Sequence, residues 1–374
     1  MKIKKILVVP SSRIINSESN LPSRRFKNTM RKIKNIFRKR FLIYDGELIF
    51  YADIPKILGK DNVYVLGVYH SHLLDPKIQQ YCPYPSCHGT PAATFIDEKE
   101  LSSVMAEVDA VLISTRSGNR GDMARIEAGK QSVPIAIFDF TDHEANYGSK
   151  NIKDKLCYDY QLGRDYNLYF KKDLPLGFET DTIQPIAPVP VRVGSYDFSI
   201  YNKDYSVFYS GRGREDKCQN DRKETIDLVY NSDIKNTLLI DHNDRKTLMT
   251  TREYWDNISK SNFCLSPSGR VWDSFRHAEI GLSPNTAIIA PKPYVHTVGP
   301  KLIDGVNSIL YDTELVGGKY SLKNKSKLLE KINYYINNDS KRVKLAEQWS
   351  SDVVHGHTTY SRSMQLIKKM QECF

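Results

Sequence analysis

The sequence predicts an α/β chain built from two doubly wound, Rossmann-like domains. Three observations carry that expectation. Lys2 to Val9 reads as a strand with Pro10–Arg13 as the loop at its carboxyl end, which is how such a domain begins. Between residues 97 and 140, β-rich and helical runs alternate, the pattern of helices crossing over a parallel sheet. From Ser261 to Pro293 the chain spells a strand, a small polar loop, a helix and a second strand. At 374 residues there is room for two or three domains of roughly 150 residues each. The reading places the first at 1–185, the second at 186–355, and a closing helix at 356–374 that can pack back on the first domain.

After the first strand comes the most basic segment, residues 24–40, with Phe26, Met30, Ile33 and Phe37 at helical spacing. Two readings stay open. One is a surface helix packed through its apolar face. The other is a helix lying on anionic lipid, where each basic residue adds about 1 kcal/mol. Asp45 to Ile57 reads as a helix or a strand–turn unit, and Val63 to Tyr69 as a strand ending in His70-Ser-His72. Tyr81 to Pro91 is a loop. Asp97–Glu107 and Gly121–Lys130 read as helices, Val108–Ser114 and Val133–Phe140 as strands. Asn151 to Asp173 is polar and tyrosine-rich. Leu174 to Val193, with four prolines, reads as the crossover between domains.

The second domain opens with a strand at Tyr205–Tyr209, a helix at Asn220–Tyr230, a strand at Thr237–Ile240 and a helix at Thr250–Ser259. The strand–loop–helix–strand unit follows. Phe263 to Leu265 is its apolar strand, and Ser266, Pro267, Ser268 and Gly269 break it. Asp273 or Ser274 can cap a helix running from near Phe275 to about Gly281. Thr286 to Ala290 is the returning strand. Leu302 to Leu310 leads to Tyr311, and Ser326–Asn337 and Ser340–Asp352 read as closing helices.

Ligands of open α/β sheets sit beyond the carboxyl ends of the strands. There, a loop of small residues lets backbone N–H groups approach a phosphate, and a following helix adds its positive end. Arg276 and Glu279 share one helix face at i, i+3. Arg276 can neutralise phosphate, and Glu279 can accept from a ribose diol. The same spacing also fits an exposed ion pair.

The segment from Phe263 through Glu279 to Ala290 resembles the donor-side motif of the exostosin and capsule-associated (CAP10-like) glycosyltransferases. Val207 to Arg214, followed by Arg222 and Lys223, resembles the Gly-Arg turn that ends a strand in those families. The resemblance covers roughly residues 205–350. It implies the GT-B fold, in which two Rossmann-like domains face each other across a cleft. It implies an acceptor domain first and a nucleotide-sugar domain second. The Gly281-Leu-Ser-Pro-Asn stretch departs from the families' small-residue helix end, which leaves the sugar open. On this reading Arg212, Arg214, Ser268, Gly269, Ser274, Arg276 and Glu279 bind the donor. Arginine suits the task because its fork grips phosphate in two places. The base that takes the acceptor proton would come from the first domain, where Asp142, His143 and His70 are the main candidates beside His72 and Asp45.

The implied reaction is transfer of a sugar from a nucleotide-sugar to a glycan or lipid-linked hydroxyl. No metal is expected, since no Asp-x-Asp triplet appears. No dinucleotide cofactor is expected either, because the first loop lacks G-x-G-x-x-G. Two alternatives stay beside it: a non-catalytic nucleotide-sugar or carbohydrate-binding module, and a sugar epimerase of the same architecture. The net charge of +10 implies anionic partners. Nucleic acid ranks last among them, because no nucleic-acid-binding motif is present. Cys82, Cys87 and His88 lack a second ligand pair, so ordinary thiols in a reducing compartment fit best. Ile6 to Val9 is too short for a signal core and no apolar run approaches about 20 residues. A cytoplasmic enzyme, peripheral to the membrane at most, is expected.

Overall fold

A computed structural model describes residues 2–10, 53–66, 93–140, 166–187, 198, 202–211, 218–241 and 249–374. The basic segment 24–40 lies outside these residues. The first sheet comprises β1 (Ile6–Val9), β2 (Val63–Leu66), β3 (Thr94–Ile96), β4 (Ala110–Ser114), β5 (Ile135–Asp139), β6 (Leu168–Lys172) and β7 (Ile183–Ile186). Every pairing is parallel and the order is β3-β2-β1-β4-β5-β6-β7. Alternate residues of a strand face opposite sides, and both sides are covered here. Ile6 and Val8 pack with Ile54 of α1 (Ile54–Leu58). Leu7 and Val9 pack with α2 (Leu101–Met105) and α3 (Asn119–Gln131). Burial on both faces is what parallel sheets require.

The second sheet comprises β8 (Tyr205–Gly211), β9 (Thr237–Asp241), β10 (Ser261–Leu265), β11 (Ala287–Pro291) and β12 (Ile309–Tyr311), all parallel in the order β12-β11-β10-β8-β9. A hairpin follows, β13 (Thr313–Val316) and β14 (Lys319–Leu322). Its helices are α4 (Asn220–Tyr230), α5 (Thr251–Ser259), α6 (Phe275–Ile280), α7 (Lys325–Ile336) and α8 (Asp339–Gly356). Phe208, Cys264 and Ile288 pack with α5, α6 and α8. Val207, Phe263 and Ile289 pack with α4, α7 and the start of α8. Burial raises the Cys264 thiol well above its ordinary value, as befits a core residue. The last helix, α9 (Thr359–Cys373), crosses back: Leu366, Ile367 and Met370 join the cluster around Ile6 and Val8 of the first sheet.

β3, β6, β7 and the β13–β14 hairpin differ from the sequence reading. β6 lies in the stretch read as merely polar, because Lys171 and Lys172 mask its pattern. Both lysines are buried, against Asp139 at 3.3 Å and Asp173 at 3.0 Å. β7 lies inside the proline-rich crossover. Pro185 is tolerated there because β7 is an edge strand. The β13–β14 hairpin turns at Gly317 and Gly318, both at positive φ, a turn signal the reading passed over.

Arg362 holds the place where the chain passes between the domains. It is buried and donates to Ala187 O at 3.0 Å, Val298 O at 3.1 Å and His357 Nδ1 at 2.7 Å. His357 Nε2 donates to Pro300 O at 3.0 Å, since a carbonyl only accepts. That assignment leaves Nδ1 as the acceptor from Arg362 and the ring neutral.

Burial, reinforced by Arg362, pushes His357 down to about 3. Burial likewise pushes His277 of α6 down to about 4. Both values lie below the ordinary 6.5. The stability from these neutral rings is therefore complete above pH 6.5 and is lost as pH falls through the folded values. The urea midpoint should drop between pH 6.5 and 4, and His357→Gln, which can make the same two hydrogen bonds, should shrink that drop. A second expectation concerns Gly281, where a Cβ would lie 2.4 Å from Val353 Cγ2 and 2.9 Å from Trp349 Nε1. Gly281→Ala should lower stability by about 1–3 kcal/mol, read as a lower urea midpoint.

Candidate functional site

The second sheet changes winding direction at β8. β9, next in the chain, pairs on one side, and β10, which follows, pairs on the other. A crevice forms outside the carboxyl ends of the strands at such a switch point. α6 spans it. Arg276 reaches the end of β8, donating from Nη2 to Ser210 O at 2.6 Å. His277 reaches the end of β10: Ser266 Oγ donates to its Nδ1 at 2.7 Å, and its Nε2 donates to Trp272 O at 2.8 Å. Ser274 is the N-cap, its hydroxyl accepting from Arg276 N–H at 3.3 Å. This settles the choice the sequence left between Asp273 and Ser274.

The guanidinium of Arg276 lies over Tyr209, with Cζ 4.9 Å from the ring centroid. Its Nε and Nη1 are shut from water, and Tyr209, Tyr254 and Glu279 keep the guanidinium charged against the cost of burial. Gly211 allows this approach: a Cβ there would lie 2.7 Å from Arg276 Nη2 and 2.8 Å from the Tyr209 hydroxyl. One turn along α6, Glu279 accepts from the Tyr254 hydroxyl at 3.0 Å. Burial raises the Glu279 carboxyl, while Arg276 and the Tyr254 hydrogen bond pull it back.

The loop after β10 departs from expectation. The amides of Ser268 and Gly269 were expected to face a phosphate. Instead Ser268 donates both its N–H and its hydroxyl to Asp221 Oδ2, at 3.1 and 3.0 Å. Gly269 N–H donates to Val271 O at 2.8 Å. Asp221 is a buried carboxylate in the first turn of α4, and it also accepts from the Tyr311 hydroxyl at 2.7 Å. Arg222, which follows the Gly-Arg stretch in the sequence, is buried and donates to Ser268 O at 2.7 Å. The loop is thus braced from within, and it shapes the crevice without lending it these amides.

The structure therefore brings Ser274, Arg276 and Glu279 to the switch point and gives Ser268 and Gly269 a bracing role. Arg212, Arg214, Asp142, His143, His70, His72 and Asp45 lie outside the described residues. Tyr209, Tyr254 and Asp221 were not singled out from the sequence. Only Tyr209 had a usable signal there, its place two residues before the Gly-Arg turn. Among the described residues no cluster of His, Cys, Asp and Glu could hold a metal ion, and no helix is long and apolar enough to cross a membrane.

No protein-family model and no curated protein matches the chain. Solved structures do match in shape. Anabaena Alr3699/HepE in complex with UDP superposes with a TM-score of 0.51 at 12% identity, over 98% of this chain and 100% of that one. The lipopolysaccharide outer core galactosyltransferase WaaB, in its apo form, gives 0.50 at 10% identity, over 99% and 100%. A glycosyltransferase from Rickettsia africae ESF-5 gives 0.50 at 10% identity, over 100% and 99%. With the two parallel sheets, the switch point in the second and the returning α9, these likenesses make the fold that of the GT-B glycosyltransferases, two Rossmann-like domains across a cleft.

Proposed function

We propose that the chain is a glycosyltransferase that moves a sugar from a nucleotide-sugar to a glycan or lipid-linked hydroxyl, without a metal. One observation carries this reading. At the switch point of the second sheet, Arg276 holds a buried guanidinium against the end of β8, and Glu279 stands one turn along the same helix. An anion placed beyond β8 would lie in the field of that charge, and arginine suits phosphate because it can grip its oxygens in pairs. The finer resemblance to the exostosin and capsule-associated families rests on these same residues. HepE, of the same fold, is known in complex with UDP-glucose.

Sugar transfer needs a stabilised diphosphate leaving group, a base for the acceptor proton if configuration inverts, and a cleft that excludes water. Arg276 serves the first need, joined by Arg212 and Arg214, which follow β8 in the sequence. Glu279, oriented by Tyr254, accepts from the ribose diol. The base falls to Asp142, His143 or His70 of the first domain. The proposal keeps the cytoplasmic setting and the contact of residues 24–40 with an anionic surface.

A panel of UDP-, GDP- and dTDP-linked sugars tests the reading by thermal shift. A ligand that binds only the folded state stabilises it by about 2.7 kcal/mol at a hundred times its Kd. One family of donors should raise the melting temperature of the wild type, and slow release of nucleoside diphosphate should mark it as a substrate. Arg276→Ala and Glu279→Ala should abolish the shift. A wild-type response from both would end the donor-site assignment. Gly211→Ala pushes a Cβ against Arg276 and Tyr209. It should weaken donor binding by about tenfold or more, with a smaller effect on the melting temperature of the ligand-free protein.

A further inference from the structure

Asp173 is the residue after β6. It is buried and holds φ at 57°, a region few non-glycine residues enter. Its Oδ2 pairs with Lys172 Nζ at 3.0 Å. Its Oδ1 accepts from the backbone N–H of Asp273 at 2.7 Å. Asp273 belongs to the other domain and stands directly before the cap of α6. Beside this bond Phe140, the residue after β5, meets Phe275 of α6 edge-on, with centroids 5.7 Å apart. Lys172 Nζ lies 5.1 Å from the Phe140 centroid. Phe275 packs against the first domain's core. The next two residues touch the second domain before the chain returns to β7: Pro175 bridges Val295, and His296 N–H donates to Leu174 O at 2.7 Å.

α6 is therefore held from two sides. The first domain grips its start, through the Asp273 amide and the Phe275 ring. Arg276 and Glu279 lean the other way, on Ser210, Tyr209 and Tyr254. A helix of six residues has no stability of its own, so the contacts around it set its place. A shift of the first domain at Asp173 would carry Arg276 and Glu279 with it.

We propose that Asp173 is a positioning residue for donor binding: it reaches across the domain interface and fixes the start of α6, and so the pose in which Arg276 and Glu279 meet the nucleotide. The proposal rests on the donor-site reading above. It implies that the domain holding the acceptor helps set the affinity for the donor.

The left-handed backbone at Asp173 offers a clean test. Asp173→Gly suits that conformation and removes the carboxylate. Asp173→Asn keeps an accepting oxygen for the Asp273 amide. Two quantities are read: hydrogen exchange of amides 275–280 in the ligand-free protein, and affinity for UDP, GDP and dTDP by calorimetry. Asp173→Gly should keep a cooperative melt, exchange those amides faster, and bind its nucleotide about tenfold more weakly. Asp173→Asn should restore most of that affinity. Unchanged exchange in Asp173→Gly overturns the proposal whatever the nucleotides do. Faster exchange with wild-type affinity overturns it as well, since α6 would then have no positional role. If the wild type binds none of the three nucleotides, the donor-site reading fails, and the positioning role falls with it.

Discussion

The hydrogen bond from Arg276 to the Ser210 carbonyl ties α6 to the end of β8, and the arrangement of the crevice depends on it. Together with the bond between Ser266 and His277 at the end of β10, that tie lays α6 across two strand ends. The bond also fixes what may stand at position 211, because only a glycine leaves space beneath the guanidinium. It places a cation in a spot closed to water. Charge confined in this way stays stable only when its remaining hydrogen-bonding capacity is met. Tyr209, Tyr254 and Glu279 help to keep that charge in place.

Around that tie, bracing works at two levels. Near the crevice, Asp221 gathers the hydroxyls of Ser268 and Tyr311 and the Ser268 amide. Burial disfavours the Asp221 charge, and these donors offset that. Further out, Arg362 collects the Ala187 carbonyl at one passage between the domains and the Gly356 carbonyl at the other. Polar groups of this kind are costly if half satisfied and rigid if fully satisfied. Their presence explains how two domains with separate cores keep a defined relation.

Much of the fold was legible because strong patterns are local. Ile135 to Asp139 and Ala287 to Pro291 are apolar runs of strand length bounded by turn residues. Asn220 to Tyr230 ended where the periodicity ended. β6 was illegible because its lysines are neutralised by Asp139 and Asp173, and Asp139 lies more than thirty residues away in the chain. The same limit applies to the site. Arg276 and Glu279 were visible as an i, i+3 pair and Ser274 as a cap. The fate of the Ser268 amide depends on a carboxylate 47 residues earlier. Tyr254 finds Glu279 across 25 residues. Asp173 meets Asp273 across 100. Pairings at such distances leave no spacing to read.

The return of α9 to the first sheet has a consequence for biogenesis. One face of that sheet, carrying Ile3, Ile6 and Val8, is completed by Leu366, Ile367 and Met370, so the earliest strand waits for the last helix. As the ribosome extends the chain, the second domain can assemble from consecutive segments. The first cannot complete that cluster until α9 has emerged. Until then that patch of the first sheet lacks its last apolar neighbours.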